Sequence, residues 1–349
     1  MPVALSAVSV AKRYRGATGL ALNGIDLAIP AESITALIGP NGAGKSTLMK
    51  AWVGFERPSQ GRVGVMGADP WRRGSRTLDL IGYVPQTSAL YRDLTIDDHI
   101  ALVKSLRKAF DPRRAREILG QLSVPGSSRA GRLSGGQQAQ VGLALALATN
   151  APVLILDEPL AALDPLSRRE FLQVLSEEVR ASGRTALMSS HVVPDVAESC
   201  DSVVILGAGR ILDTGRIDNV VGRYGVVAGR SPGAIGSFMA SGGGESSLVQ
   251  AGHAGSSPAS LEETVLGLLA SGRRGDPVDR GSKSDPPLPK SAQSGGVAAA
   301  TGGNLLRLFA ELSEVGEAEV LRRHPDLTRE ALSDCYAAAA AALATESPR

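Results

Sequence analysis

Short apolar runs and helically spaced stretches alternate along residues 1–225. The runs 33–38, 153–156 and 185–188 consist mostly of aliphatic side chains, which is typical of strands buried on both faces. Apolar residues at helical spacing occupy 46–53 and 167–181. Because strands alternate with helices, we predict an α/β fold in which helices cover both faces of a mostly parallel core sheet.

The pattern weakens after a closing hairpin, which we predict from the apolar run 203–206 and the glycine-containing turn that follows it. Residues 226–271 are rich in Gly, Ser and Ala, and we interpret them as a small accessory extension. Pro, Gly and scattered charges in 272–303 predict a disordered linker. Apolar residues return at helical spacing after residue 304, so we expect residues 304–349 to form a helical tail.

Two helices are expected inside the accessory extension. A short one should lie near residues 234–240. The second should begin after Ser260, whose side chain and that of Glu263 match a capping box, and should end at Ala270.

Composition excludes several classes of protein. Hydrophobic residues make up 43% and charged residues 21% of the 349 residues, as in an ordinary globular protein. The net charge of +2 favours neither nucleic acid nor an anionic membrane as a partner. Cys200 and Cys335 show no pairing pattern, which indicates free thiols in a reducing compartment. We expect no secretory signal and no apolar run near the ~18–20 residues that cross a bilayer, so any work across a membrane would require a partner.

Residues 39–47, the phosphate loop, match the pattern G-x-x-x-x-G-K-[ST] between a predicted strand and a predicted helix. Glycines let successive backbone N–H groups point at phosphate oxygens, and the helix N-terminus adds partial positive charge. Lys45 would reach the β- and γ-phosphates, and the Ser46 hydroxyl would bind Mg²⁺. The alternative is a glycine-rich turn without a ligand. We predict as ATP-binding residues Gly39, Pro40, Asn41, Gly42, Ala43, Gly44, Lys45, Ser46 and Thr47.

A second motif carries a family resemblance. The segment Leu133-Ser134-Gly135-Gly136-Gln137, the signature segment, is similar to the signature motif of ATP-binding cassette (ABC) transporter ATPases. The resemblance covers residues 3–223. It implies that the signature segment faces the γ-phosphate of ATP bound to the opposite subunit. Taken alone, the segment could be an ordinary Ser-Gly-Gly turn that caps a helix. One departure is that Gln138 and its neighbours stand where the family often has an arginine.

The resemblance also assigns an acidic pair at the end of the 153–156 strand. Asp157 would hold Mg²⁺, usually through water, and Glu158 would act as general base toward the attacking water. A solvated acidic loop is the alternative. Gln86 resembles the glutamine that senses metal and water, and His191 resembles the switch histidine that contacts the γ-phosphate.

Two further positions match the family. Asp164 resembles the aspartate that links the two sites across the dimer. Tyr14 lies where the family places an aromatic side chain that stacks on adenine, and a surface tyrosine near a basic cluster is the alternative.

The resemblance implies a P-loop NTPase of the ABC type within residues 1–225, with an N-terminal antiparallel β subdomain and a helical subdomain at about 87–150. Its cofactors would be ATP and Mg²⁺. It would dimerise with itself or a homologous subunit and drive transport, in the export direction, through an integral membrane permease contacted near residues 90–95. It would therefore lie at the cytoplasmic face of the cell membrane, without binding nucleic acid directly. The alternatives are a soluble ATPase acting on nucleic acid or ribosomes, and a regulator acting through the tail.

The tail is not part of a cassette. Residues 321–330 and the Ala-rich stretch after them resemble a short bacterial antitoxin-like domain of unknown function. A partner-binding or solvated helical tail is the alternative. DNA binding by the tail is disfavoured by Glu311, Glu314, Glu317 and Glu319.

Overall fold

The apolar runs of the sequence pair with one another at the centre of a six-stranded sheet in the computed structural model, which describes residues 2–72, 77–240 and 243–273. The strands in chain order are β1 Val3–Lys12, β2 Leu22–Pro30, β3 Ile34–Ile38, β4 Gln60–Val65, β5 Ile81–Val84, β6 Val153–Leu156, β7 Thr185–Ser190, β8 Ser202–Gly207, β9 Arg210–Arg216, β10 Tyr224–Ala228, β11 Gly236–Met239, β12 Glu245–Gln250 and β13 Ser257–Pro258.

The α-helices are α1 Lys45–Val53, α2 Ile96–Leu106, α3 Pro112–Gln121, α4 Gly135–Leu147, α5 Pro165–Ser182, α6 Val193–Ser199, α7 Ile217–Val221 and α8 Leu261–Arg273, with short 3-10 helices at Thr77–Leu80 and Ala130–Arg132. None of the helices in the described ranges is both long enough and apolar enough to pass through a bilayer.

The core sheet has the order β5-β6-β7-β3-β8-β9. β5 to β8 and β3 are parallel, and β9 closes the sheet antiparallel to β8. The predicted parallel sheet and closing hairpin are therefore confirmed. β3, β6 and β8 are buried along their whole length because most of their side chains are aliphatic, without the alternation of a half-exposed strand, whereas the edge strand β9 is partly exposed.

Different subdomains cover the two faces. On one face, α1 and the antiparallel sheet β2-β1-β4 form an apolar cluster around the fully buried Trp52. On the other face, α2 to α5 pack around Phe110 and Phe171. The predicted antiparallel and helical subdomains are thus present, and the phosphate loop lies where β3 meets α1.

Residues 224–273 form an antiparallel sheet, β11-β12-β10-β13, with α8 packed on it. The prediction of a short helix near residues 234–240 is wrong. Backbone pairing with β12 makes this segment strand β11, and Phe238 is buried there. The composition of small residues contained no sign of that long-range pairing.

The predicted capping box of α8 is present. The Ser260 N–H donates to Glu263 Oε2 at 2.8 Å, and the Glu263 N–H donates to Ser260 Oγ at 3.2 Å. The helix extends to Arg273, beyond the end expected at Ala270 and into the first residues of the predicted linker. The rest of that linker and the tail at 304–349, with its antitoxin-like resemblance, lie outside the described residues.

Two glycines let α8 approach the accessory sheet closely. A Cβ on Gly267 would lie 2.4 Å from the Cβ of Leu248, and a Cβ on Gly236 would lie 2.1 Å from the Gly267 carbonyl oxygen. Both distances are well below a normal contact, so these positions bring backbone against backbone. Apolar side chains of α8, among them Val265 and Leu268, complete this contact and extend it to the core sheet.

We predict that Gly267→Ala lowers the free energy of unfolding. Alanine raises helix propensity by about 0.8–1 kcal/mol relative to glycine, but overpacking of a close contact costs about 1–3 kcal/mol. Urea unfolding followed by circular dichroism measures the difference. Gly120→Ala in α3 is the matched control, because a Cβ there meets no atom within 4 Å, and this change should leave stability equal or higher. A Gly267→Ala protein as stable as the wild type would contradict the close packing.

Candidate functional site

The phosphate loop begins where β3 ends and finishes in the first turn of α1. Gly42 and Gly44 have φ values of +80° and +104°, in the left-handed region that favours glycine. A Cβ on Gly39 would lie 2.3 Å from the Leu206 carbonyl oxygen, and one on Gly44 would lie 2.5 Å from that of Ala21. The glycines of the motif are thus required by the loop's shape, and the loop opens at a helix N-terminus that can receive an anion.

Lys45 connects the loop to the acidic pair. Its ammonium donates to the Gly39 carbonyl at 2.8 Å and lies 3.2 Å from Glu158 Oε1. The other carboxylate oxygen, Glu158 Oε2, lies 3.2 Å from His191 Nδ1. Lys45 is buried, Glu158 is partly buried with a side chain that is 9% exposed, and His191 is about half exposed. Three sequence-predicted residues from distant parts of the chain therefore form one continuous chain of contacts.

Ser189 forms hydrogen bonds to both residues of the acidic pair. Its hydroxyl donates to Asp157 Oδ1 at 2.8 Å and accepts the Glu158 N–H at 2.7 Å. Sequence reasoning missed this residue and used only the histidine that follows two positions later. A signal existed, because the C-terminal ends of adjacent parallel strands meet at one sheet edge. Glu158 itself has φ +48°, a costly backbone conformation for a non-glycine residue that often occurs at functional sites.

Asp157 fits a role in holding Mg²⁺. The residue is 1% exposed, and burial raises the pKa of its carboxyl, although hydrogen bonds with Ser46 and Ser189 act in the opposite direction. Its Oδ2 atom is buried without a hydrogen-bond partner among the described residues. A carboxylate and a hydroxyl are hard oxygen donors of the kind Mg²⁺ prefers. No group of three His, Cys, Asp or Glu side chains able to hold a metal occurs in the described ranges, so water and phosphate oxygens would have to complete the shell.

Gln86 lies just after β5 and lines a cavity of about 290 Å³. Glu158 and Gly135 line the same cavity, whose wall is mostly apolar and is formed largely by α2, α4 and the end of β5. The structure thus places Gln86 and Glu158 on the wall of one cavity. Its predicted role in binding metal and water stays a prediction.

The signature segment and Asp164 form a second group at the surface. Ser134 caps α4 through a capping box with Gln137, with N···O distances of 3.0 and 3.1 Å. A Cβ on Gly136 would lie 3.1 Å from the Ala162 carbonyl oxygen, so this segment packs closely on the loop before α5. Asp164 caps α5, and its hydrogen bonds with Ser167 hold the pKa of its carboxyl below the usual value.

Gln138 and Tyr14 lie beside these groups. Gln138, at the departure from the family pattern, donates to the Leu133 carbonyl at 3.1 Å and so steadies the entry into α4. Tyr14 is 38% exposed, and its hydroxyl lies 3.2 Å from Thr47 Oγ1. The Lys12 ammonium lies 5.0 Å from the centre of the Tyr14 ring. An aromatic face is therefore available beside the end of the phosphate loop, and its contact with adenine stays a prediction.

A sequence model described as ABC transporter matches residues 22–161. That range contains the phosphate loop, the signature segment and both strand-end carboxylates, whereas Tyr14, Asp164 and His191 lie outside it. The chain is also similar to a dimeric structure of the ATP-binding cassette MJ0796 in a post-hydrolysis state bound to ADP and Pi. The TM-score is 0.55 and the identity 25%, over 61% of this chain and 98% of that one.

Curated relatives show the same relationship. The lipopolysaccharide export ATP-binding protein LptB of Haemophilus influenzae is 32% identical over 62% of this chain and 92% of its own length. The probable multidrug ABC transporter ATP-binding protein YbhF of Escherichia coli is 36% identical, but the chain spans only 36% of that protein's length. The sulfate/thiosulfate import ATP-binding protein CysA 2 of Chromobacterium violaceum is 38% identical over 60% of this chain and 58% of its own length. Relatives with both import and export names are therefore similar to this chain.

We predict that Lys45→Ala weakens ATP binding about 10- to 100-fold, since a charge-assisted hydrogen bond contributes about 1.5–3 kcal/mol. Isothermal titration calorimetry with ATP and Mg²⁺ measures this change. Lys108→Ala is the matched control, because Lys108 is an exposed lysine of the loop after α2. Equal ATP affinity of the Lys45→Ala and wild-type proteins would refute the binding role of the loop.

Proposed function

Because the chain belongs to the family of ABC transporter ATP-binding subunits, we propose that it hydrolyses ATP and thereby drives transport through a separate membrane permease. The observation that supports this most directly is the contact chain from Lys45 through Glu158 to His191 at the end of three adjacent strands. These are the side chains that a phosphoryl transfer to water needs: a phosphate ligand, a general base and a group that contacts the terminal phosphate.

Each residue has a distinct role in the proposed reaction. Backbone N–H groups of the phosphate loop and the Lys45 ammonium bind the phosphates, which takes Lys45 away from Glu158. Ser46 and Asp157 would hold Mg²⁺, and Gln86 would contribute to binding the same ion. The ion, when bound, neutralises charge that develops on the phosphate oxygens. Glu158 then accepts the proton of the attacking water, and His191 orients toward the γ-phosphate.

The proposed working form is a dimer around two ATP molecules, formed by two copies or by this chain with a homologue. Ser134, Gly135 and Asp164 are exposed and can face a second subunit, whereas Gly136, which the resemblance also assigns to the partner's site, is buried. The Ser134 hydroxyl and the N-terminal N–H groups of α4 offer an anion site of the same kind as the phosphate loop. Binding of ATP would join the two subunits, and hydrolysis would separate them.

We propose that the permease contacts the chain near residues 90–95, beside the cavity that Gln86 lines. The Tyr91 N–H donates to Nε2 of the buried His99 at 2.9 Å, and Thr95 caps α2 through a capping box with Asp98. This loop is therefore ordered by its own hydrogen bonds and presents a fixed surface. The subunit would lie at the cytoplasmic face of the membrane through this contact.

Export is the direction we propose. The stand-alone export relative is aligned over 92% of its length, whereas the sulfate import relative is aligned over 58%. The lipopolysaccharide export subunit is thus matched by this chain over nearly its whole length, which supports the proposal. Once the cargo is known, accumulation in inside-out vesicles supplied with external ATP would establish export, and loss of preloaded cargo would establish import.

We predict that Glu158→Gln binds ATP, lowers turnover at least about 100-fold and accumulates as a dimer, because general-base catalysis contributes roughly 10²- to 10⁴-fold. Size-exclusion chromatography with ATP and a phosphate-release assay measure these effects. Glu170→Gln, on an exposed position of α5, is the control and should behave as the wild type. A Glu158→Gln protein that is monomeric in ATP and turns over normally would exclude Glu158 as the base.

The transport role has its own test. Any multi-span membrane protein encoded next to the gene of this chain is expressed together with it and is captured from detergent-solubilised membranes. We expect the chain to be retained in a defined ratio and its ATPase activity to change on capture. Recovery of the chain with ribosomes or nucleic acid instead would favour a soluble ATPase and overturn the proposal.

A further inference from the structure

Arg168 forms hydrogen bonds to both ends of the loop that follows the acidic pair. Its Nε atom donates to the carbonyl of Leu160 at 3.2 Å and to that of Leu163 at 3.0 Å. These carbonyls begin and end the turn between Glu158 and Asp164, which we call the 160–163 loop. The loop has only two short-range backbone hydrogen bonds of its own, Ala161 N–H to Glu158 and Leu163 N–H to Leu160, both at 3.2 Å. The guanidinium is thus a substantial part of what fixes its shape.

The same guanidinium reaches the segment that carries His191. Arg168 Nη1 lies 3.8 Å from Asp195 Oδ2, an ion pair between α5 and α6. Asp195 lies in the first turn of α6, which begins at Val193 directly beyond the histidine. Asp195 Oδ2 is buried and has no hydrogen-bond partner among the described residues, so the arginine is the cation that compensates its charge.

The 160–163 loop also touches the signature segment. Cβ atoms placed on Gly135 and Gly136 would lie 3.2 Å from Ala162 Cβ and 3.0 Å from Leu163 Cδ2. Displacement of the loop would therefore push on the surface that faces a second subunit. Arg168 thus stands where the loop after Glu158, the helix after His191 and the start of α4 meet.

We propose that Arg168 is a positioning residue for ATP hydrolysis. It holds the 160–163 loop in a fixed position relative to Glu158 and His191. This inference rests on the proposed ATPase function. The guanidinium is suited to the task because its planar, fixed donors can serve carbonyls on one side and a carboxylate on another. Arg168 is not one of the predicted ATP-binding residues, so its loss should leave ATP binding intact and slow the chemical step, for which small displacements are costly.

The test compares the wild type with Arg168→Ala, Arg168→Lys and Arg169→Ala. Arg169 is the matched control because it is the exposed neighbour on the same helix. We expect kcat of Arg168→Ala to fall about 10-fold or more while KM for ATP stays within about twofold. Arg168→Lys should recover part of the loss, since an ammonium can still donate to the loop carbonyls, and Arg169→Ala should match the wild type.

A purely structural role gives a different result. In that case, kcat and the melting temperature would fall together, and ATP affinity would fall as well. Arg168→Lys would then restore kcat only as far as it restores stability. Wild-type kcat in Arg168→Ala would likewise overturn the inference. If Arg168→Ala fails to fold, Arg168→Lys and Asp195→Ala are compared with the wild type instead. An unchanged kcat in both variants would refute the role.

A double-mutant cycle tests the link to α6. Asp195→Ala should lower kcat in the wild-type background and have little further effect in the Arg168→Lys background, where the ion pair is already weakened. Additive effects would refute the coupling between the two residues. Failure of the underlying function is distinguishable, because then the wild type itself would release no phosphate and Lys45→Ala would change nothing.

Discussion

The parallel register of β6, β7 and β3 is the constraint on which the candidate site depends. Leu156 pairs with Met188, and Met188 pairs with Ala36, so the three strands leave the sheet at the same edge. The phosphate loop, the acidic pair and the serine–histidine segment follow those three strand ends. A slip of one residue would turn Ser189 away from Asp157, because side chains alternate between the faces of a strand. The chemistry at this edge is therefore a property of strand pairing as much as of the motifs.

The charged side chains at this edge position the catalytic groups more than they stabilise the fold. The side chains of Lys45 and Glu158 are only 4% and 9% exposed, and the desolvation of such a pair offsets much of its attraction. What the pair provides is a defined carboxylate, held between an ammonium and the His191 ring and fixed at its backbone by Ser189. Asp157 differs, since one of its oxygens is buried without a partner in the described part of the chain. That unfilled acceptor is where a cation would be most favourable.

Much of the fold could be predicted from the sequence, because the sequence signals that indicate it are local. The apolar runs, the phosphate loop and the capping box at Ser260 each depend on neighbours in the chain. Ser189 could be found only by the further step of placing the ends of adjacent parallel strands at one sheet edge. Arg168 could not be found from such signals, since its partners lie in other elements and follow only from the three-dimensional packing. The same reason explains the wrong helix at 234–240, where pairing with β12 outweighs a weak local preference. Assignments that need a bound nucleotide or a second subunit, such as those of Gln86 and Tyr14, remain predictions.

The place of β3 in the core sheet has a consequence for how the chain folds during synthesis. β3 pairs with β7 and β8, and the Ile34 N–H donates to the Asp201 carboxylate, 167 positions further along the chain. The backbone of Gly39 rests directly against the carbonyl of Leu206. Since contacts of high sequence separation form slowly and a nascent chain emerges from its N-terminus, the phosphate loop is translated early and takes its shape late. Until β7 and β8 have been synthesised, β3 and the phosphate loop lack their partners in the sheet, so correct folding of this chain depends on this N-terminal segment being kept from aggregation.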